Sequence, residues 1–241
     1  MALNADLSAF ISGGYFLAKR VSRPREFTDL MPDTFIRLSD CFTDIAPDTW
    51  ADKAYNYDEG ERSAEAAKFG IPAFAVPALV TEFTKAVALT HLTNSFPTLA
   101  IAREFHRRCT DKTLVVLLGI GLEPSLVASL RSQLHDDVNH GYGLIERIDA
   151  QDPLSSSGSV LGYEPLGFEA MKFHSWLCHN APVGAYERFG TRPNRAGFIG
   201  SFADAVHVTE HLKATGAEPA IWEPWLVVQY DCEDKRFNAC S

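Results

Sequence analysis

Leu114-Val115-Val116-Leu117-Leu118-Gly119-Ile120-Gly121-Leu122 is a run of nine residues without one polar side chain, and its reading decides the fold. The run is too short for most helices and rich in Val and Ile, so it predicts a strand buried on both faces. Pro124 follows and opens a helix reaching roughly to Leu134. Upstream, from Pro72 to Cys109, the pattern is helical. Pro77 suits a first turn, and Leu79, Val80, Phe83, Val87 and His91 recur at three- and four-residue steps. Ser95 is placed to cap a second helix opened by Pro97, with Leu99, Ala102 and Phe105 on its buried side. Tyr15 to Ala18 is a short strand candidate nearer the start.

Downstream the pattern turns strand-rich. Val160 to Phe168, Phe173 to Leu177, Gly197 to Ile199 and Trp225 to Tyr230 read as strands. A helix from about Phe202 to Ala214 interrupts them, and Ser201 with Asp204 has the spacing of a capping box. Asp149 to Ser159 carries Pro153 and the run Ser155-Ser156-Ser157-Gly158-Ser159, which predicts a long surface loop or a weak subdivision near 150–159. The expected architecture is one α+β domain over residues 1–241: a mixed β-sheet, its strands mainly C-terminal, packed against helices.

A chain of 241 residues with 46% apolar and 22% charged residues can bury a substantial core and is not a disordered polymer. Five cysteines, widely spaced and odd in number, point to reduced thiols rather than a disulfide framework. Ala9 to Ala18 lacks the basic flank of a signal peptide, and no window approaches about eighteen uninterrupted apolar residues. A cytoplasmic protein with no membrane contact is expected.

Charge is distributed unevenly. Between Glu26 and Ala66 the chain has eleven carboxylates and three bases, a net of −8 against −9 for the whole chain. Phe27, Phe35, Phe42, Trp50, Tyr55 and Tyr57 are threaded through this stretch, and Pro32 and Pro47 prevent one long helix. Clustered like charges repel each other, and Trp and Tyr are enriched where interfaces derive most of their energy. The stretch therefore predicts a face for a basic protein partner and excludes nucleic acid. Asp29, Asp33, Asp40, Asp44, Asp48, Trp50, Asp52, Tyr55, Tyr57, Asp58 and Glu59 are the candidate partner-binding residues. A carboxylate surface with aromatic anchors imitates a phosphate backbone, and opposed fields speed the encounter.

Catalytic and metal-binding patterns are weaker. His207-Val208-Thr209-Glu210-His211 has the H-x-x-E-H spacing of inverted zinc peptidases, with two imidazoles on one helix face. A site of that kind needs a third protein ligand well downstream, and about thirty residues remain. An exposed helix face, with Phe202, Ala205, Val206 and Leu212 turned inward, explains the pattern better. In Phe173-His174-Ser175-Trp176-Leu177-Cys178-His179-Asn180, Cys178 with His174 or His179 offers the alternative of a cysteine-dependent hydrolase or acyltransferase. On a strand His174 and Cys178 would lie about 13 Å apart, so only a turn brings an imidazole, that of His179, near the thiol. Gly119-Ile120-Gly121 lacks the third glycine of a dinucleotide fingerprint and the lysine of a phosphate loop, and reads as a bend at a strand end. His135-Asp136-Asp137 and His140 read as a solvated helix end. No catalytic residue, metal or cofactor is expected.

One resemblance bears on function. The block Leu161-Gly162-Tyr163-Glu164-Pro165-Leu166-Gly167-Phe168-Glu169, with His174-Ser175-Trp176-Leu177-Cys178 and Asn194 to Gly200, resembles a group of small uncharacterised bacterial proteins. Some of that group are thought to act as toxin-neutralising immunity proteins. The resemblance spans about seventy residues, Val160 to Tyr230, and implies a bacterial immunity protein whose basic partner is a cognate toxin. It carries over no functional residues.

Overall fold

A computed structural model describes residues 6–23, 30–39, 43–47, 59–90, 95–109, 115–136, 143–169, 171–179, 181–216 and 219–232. The chain is a single α+β domain. Its sheet has five strands: β1 (Ile11–Lys19), β4 (Val115–Leu122), β5 (Ser159–Glu169), β6 (Lys172–Ser175) and β7 (Ile221–Tyr230). Their order is β1-β4-β7-β5-β6. Two short strands, β2 (Val21–Ser22) and β3 (Thr34–Phe35), form a separate ribbon. Every pairing in the main sheet is antiparallel, which corrects the expectation of a mixed sheet. The continuous apolar runs arise because the sheet is covered on both faces, the condition usually met by parallel sheets.

Seven α-helices lie among the described residues: α1 (Glu59–Lys68), α2 (Val76–Thr90), α3 (Leu99–Arg108), α4 (Val127–Asp136), α5 (Leu144–Ala150), α6 (Ala181–Phe189) and α7 (Phe202–Thr215). One face of the sheet contributes Leu17, Leu117, Leu226 and Val228 to a core shared with Leu79 and Phe83 of α2, Phe105 of α3, and Val208 and Leu212 of α7. Their sequence neighbours Phe16, Leu118 and Val227 point the other way, as the two-residue strand period requires. These join Leu130 and Leu134 of α4, Ile148 of α5, and Ile36, Leu38 and Ile45 in a second core. Burying both faces of a central sheet is the main stabilising term, since burial is worth about 25 cal/mol per Å² of apolar surface.

Local chemistry places the elements. At the start of α7 the Ser201 hydroxyl accepts from the Asp204 amide and donates to the Asp204 carboxylate, so the expected cap is present. For α3 the capping side chain is Thr98, which accepts from the Ile101 amide, rather than Ser95, which is buried. The chain passes from β6 into a 3-10 turn, Trp176–His179, where a strand to Leu177 was expected. Gly197 to Ile199 forms only isolated bridges, Ile199 pairing with Tyr163 and Pro193.

Gly119 and Gly121 lie inside β4, not at a bend. A Cβ on Gly119 would meet Tyr230 at 2.8 Å, and one on Gly121 would meet Leu154 and Phe10 at 2.9 Å. Glycine is needed there because other side chains cross the strand at van der Waals range. Pro165 of β5 faces Pro224 of β7, so the two residues without amide hydrogens share one rung of the ladder. The serine-rich loop is fastened to the sheet: Ser12 donates its amide to the Asp152 carbonyl, Leu154 to that of Phe10, and the Tyr230 hydroxyl donates to the Ser155 carbonyl.

Candidate partner-binding surface

The acidic stretch enters the described structure at residues 30–39, 43–47 and from 59 onward. Residues 34–39 are fixed from within. Phe35, Ile36, Arg37 and Leu38 are fully buried, and β3 pairs with β2. Arg37 lies between the rings of Phe35 and Phe198, 5.6 and 5.2 Å from their centroids. Its Nη1 donates to the Ile36 carbonyl, and its Nε is 3.4 Å from Oε1 of Glu164 on β5. The Ser175 hydroxyl donates to the same oxygen at 2.6 Å. Burial pushes the Glu164 carboxyl up to about 7, against the pull of Arg37, Ser175 and the Leu38 amide. Burial likewise lowers Arg37 to about 10. Next along the chain, Thr43 donates to the Lys19 carbonyl, Lys19 donates its amide to Asp44, and Ile45 bridges Ala18. Residues 43–45 thus run along the outer edge of β1.

Three of the eleven candidate residues lie in this framework. Asp33 has a side chain 93% exposed and a 3.2 Å ion pair with Arg23. Asp44, half-exposed, is 3.8 Å from Lys68. Glu59 is exposed in the first turn of α1, beside exposed Glu61, where carboxylates favour the positive helix end. Lys68 is shared with Glu65 at 2.6 Å, and that hydrogen bond raises the ammonium above its ordinary value. Asp29, Asp40, Asp48, Trp50, Asp52, Tyr55, Tyr57 and Asp58 lie outside the described residues.

The other candidates separate in space. His174 is on β6 opposite Gly167, whereas Cys178 is on the following turn, its sulfur 3.3 Å from the Ser39 hydroxyl. The His179 side chain lies outside the described residues, as do Asp137 and His140. His207, Glu210 and His211 line an open cleft of about 240 Å³ between α6 and α7, with Arg188, Phe189 and Ala214. His207 stacks on Phe189 at 6.0 Å, and His211 meets it edge-on at 5.9 Å. The Arg188 guanidinium is 3.5 Å from Nδ1 of His211, a position that opposes a metal cation. Among the described residues, no three His, Cys, Asp or Glu side chains converge as metal ligands.

Two features escaped the sequence reading. The Arg37–Glu164 pair had no signal: Glu164 sits in an apolar block, and Arg37 counts as one base among acids. Phe74 is the other. It is 86% exposed in a 3-10 turn between α1 and α2. No protein-family model, curated protein or solved structure matches the chain. Among the described residues no single helix is long and apolar enough to cross a membrane. Of the described cysteines, Cys109 is buried and Cys178 and Cys232 are half-buried.

Proposed function

We propose that the protein binds and neutralises a basic protein through its acidic N-terminal region, as a bacterial immunity protein meets a cationic toxin in the cytoplasm. The observation that carries the reading is the exposure of Asp33, Glu59 and Glu61 within a stretch whose net charge is −8. The ions paired with these acids do not remove the field. Exposed pairs such as Arg23–Asp33 and Lys68–Asp44 are worth little, so a partner's cations compete for the same carboxylates. Asp33 is adjacent in sequence to the buried stretch Phe35–Leu38, which lowers the ordering cost of its part in association. The resemblance of Val160 to Tyr230 to a group with immunity members makes a toxin the class of partner.

Affinity capture from the source cells, with elution by a salt gradient, tests the reading. The proposal expects a strongly basic protein to be retained and released as salt rises, and lost when Asp33, Asp40, Asp44 and Asp48 are reversed to lysine. Capture of a neutral or acidic partner, or retention indifferent to the reversals, overturns it.

A further inference from the structure

We infer that the cleft between α6 and α7 binds a small organic phosphomonoester, its phosphate held by Arg188, His207 and His211 and its organic body resting on Phe189 and Ala214. The inference goes beyond the acidic region. It concerns a ligand of the opposite sign to the proposed partner, on other elements of the fold. The stretch Glu26–Ala66 holds −8 of the chain's −9, which leaves −1 for all the other residues. At physiological salt, screening over about 8 Å confines the influence of distant exposed acids, so the charges lining the cleft decide what enters it.

Local structure gathers the donors. His207 and His211 are four residues apart on α7 and share one face of the helix. Both meet the ring of Phe189 on α6, His207 stacked at 6.0 Å and His211 edge-on at 5.9 Å. The Arg188 guanidinium stands 5.6 Å from the centroid of the same ring. One aromatic side chain thus organises three nitrogen-bearing groups from two helices. Among the described residues Arg188 forms no ion pair with a carboxylate; its polar contact is from Nη1 to Nδ1 of His211. A guanidinium only donates, so Nδ1 is the acceptor and the His211 proton stands on Nε2. Nε2 borders Gly184, where the missing side chain leaves room: a Cβ there would stand 3.8 Å from it.

That donor set selects the ligand. Arg188 supplies a fixed positive charge, and two imidazole N–H groups add donors beside it. Three donating groups match the three free oxygens of a phosphomonoester better than the two of a carboxylate. Glu210 also lines the cleft, but Lys213 holds its carboxylate at 3.2 Å and offsets its repulsion of an anion. The volume of about 240 Å³ is below that of a drug-sized pocket and suits one phosphate with one ring. Phe189, 38% exposed, and Ala214 give that ring an apolar wall.

Imidazole NMR spectra of the full chain, recorded as phenyl phosphate, inorganic phosphate or benzoate is added at constant ionic strength, test the inference. Free His211 should show the tautomer protonated on Nε2. Phenyl phosphate should shift the His207 and His211 signals to saturation, with inorganic phosphate about fivefold and benzoate about tenfold weaker. Arg188→Gln should weaken phenyl phosphate by about thirtyfold, and Arg188→Lys by less, since it keeps the charge and loses the fork. Gly184→Leu should cover Nε2 and weaken binding by about tenfold without lowering the melting temperature, because leucine favours a helix over glycine. Loss of binding is thereby separated from loss of fold. Imidazole signals that do not respond, or that drift without saturating, would overturn the proposal. So would affinity unchanged in Arg188→Gln, or benzoate or inorganic phosphate binding as tightly as phenyl phosphate.

Discussion

Arg37 and Glu164 form an ion pair sealed inside the protein, Nε and Oε1 3.4 Å apart with neither side chain touching solvent. The pair ties the buried Phe35–Leu38 segment of the acidic stretch to β5 of the sheet. Arg37 Nε and Nη2 and Glu164 Oε2 are buried without hydrogen-bond partners, so desolvation is only partly offset. Packing accounts for the rest of its placement: the guanidinium fills the space between Phe35 and Phe198.

Arg37→Ala should therefore destabilise the protein by roughly 2–5 kcal/mol, as large-to-small core changes do. The double change Arg37→Met/Glu164→Leu should recover most of that loss, because apolar side chains of similar volume carry no desolvation cost. Urea denaturation midpoints of the two variants decide the matter, provided the denaturant slope is unchanged.

Stability should depend on pH through Glu164. The folded carboxyl titrates at about 7 and the ordinary one at 4.5. Between those values the folded state keeps a proton that the unfolded state has released. This group's contribution is complete below 4.5 and is lost as pH rises through 7, by roughly 3 kcal/mol at most. Glu164→Gln should flatten that part of the profile, and Arg37→Met should move it to higher pH. Urea midpoints measured across the window check both.

Gly197 has a φ of +93°, and a Cβ there would stand 2.7 Å from Arg37 Nη1 and 3.0 Å from the Phe35 Cβ. Gly197→Ala should cost more than about 1 kcal/mol through backbone strain and displacement of the guanidinium. Gly200, with nothing within 4 Å of its position, should accept alanine within about 0.5 kcal/mol. Thermal melts of the two variants side by side separate conformation from composition.

Ser201→Ala should cost about 1 kcal/mol by removing the cap of α7, and Ser201→Asp should restore most of it. Thermal denaturation of both variants provides the comparison.

What could be read in the chain and what could not divide along physical lines. Local chemistry was legible. The apolar run ending at Leu122 is β4, the Ser201–Asp204 spacing starts α7, and Trp225 to Tyr230 lies within β7. Pairing of distant segments was not. An antiparallel sheet covered on both faces leaves the same continuous apolar signature as a parallel one, so the expectation of a mixed sheet had no local signal to correct it. Gly119 reads as a bend until Tyr230 and Tyr15 are known to cross it. Among the candidate binding residues, exposure of Asp33, Asp44 and Glu59 follows from their charge. The partners that share it, Arg23 and Lys68, come from outside the Glu26–Ala66 stretch.

The central claim is that the acidic region meets a cationic protein, and stopped-flow association with the purified basic partner over a range of salt concentrations tests it most directly. Fast association that slows steeply with salt, with the rate reduced and the salt slope flattened when Asp33, Asp44 and Glu59 are reversed together with Asp40, Asp48 and Asp52, is the predicted result. Association rates and salt slope unchanged by those reversals would contradict the account.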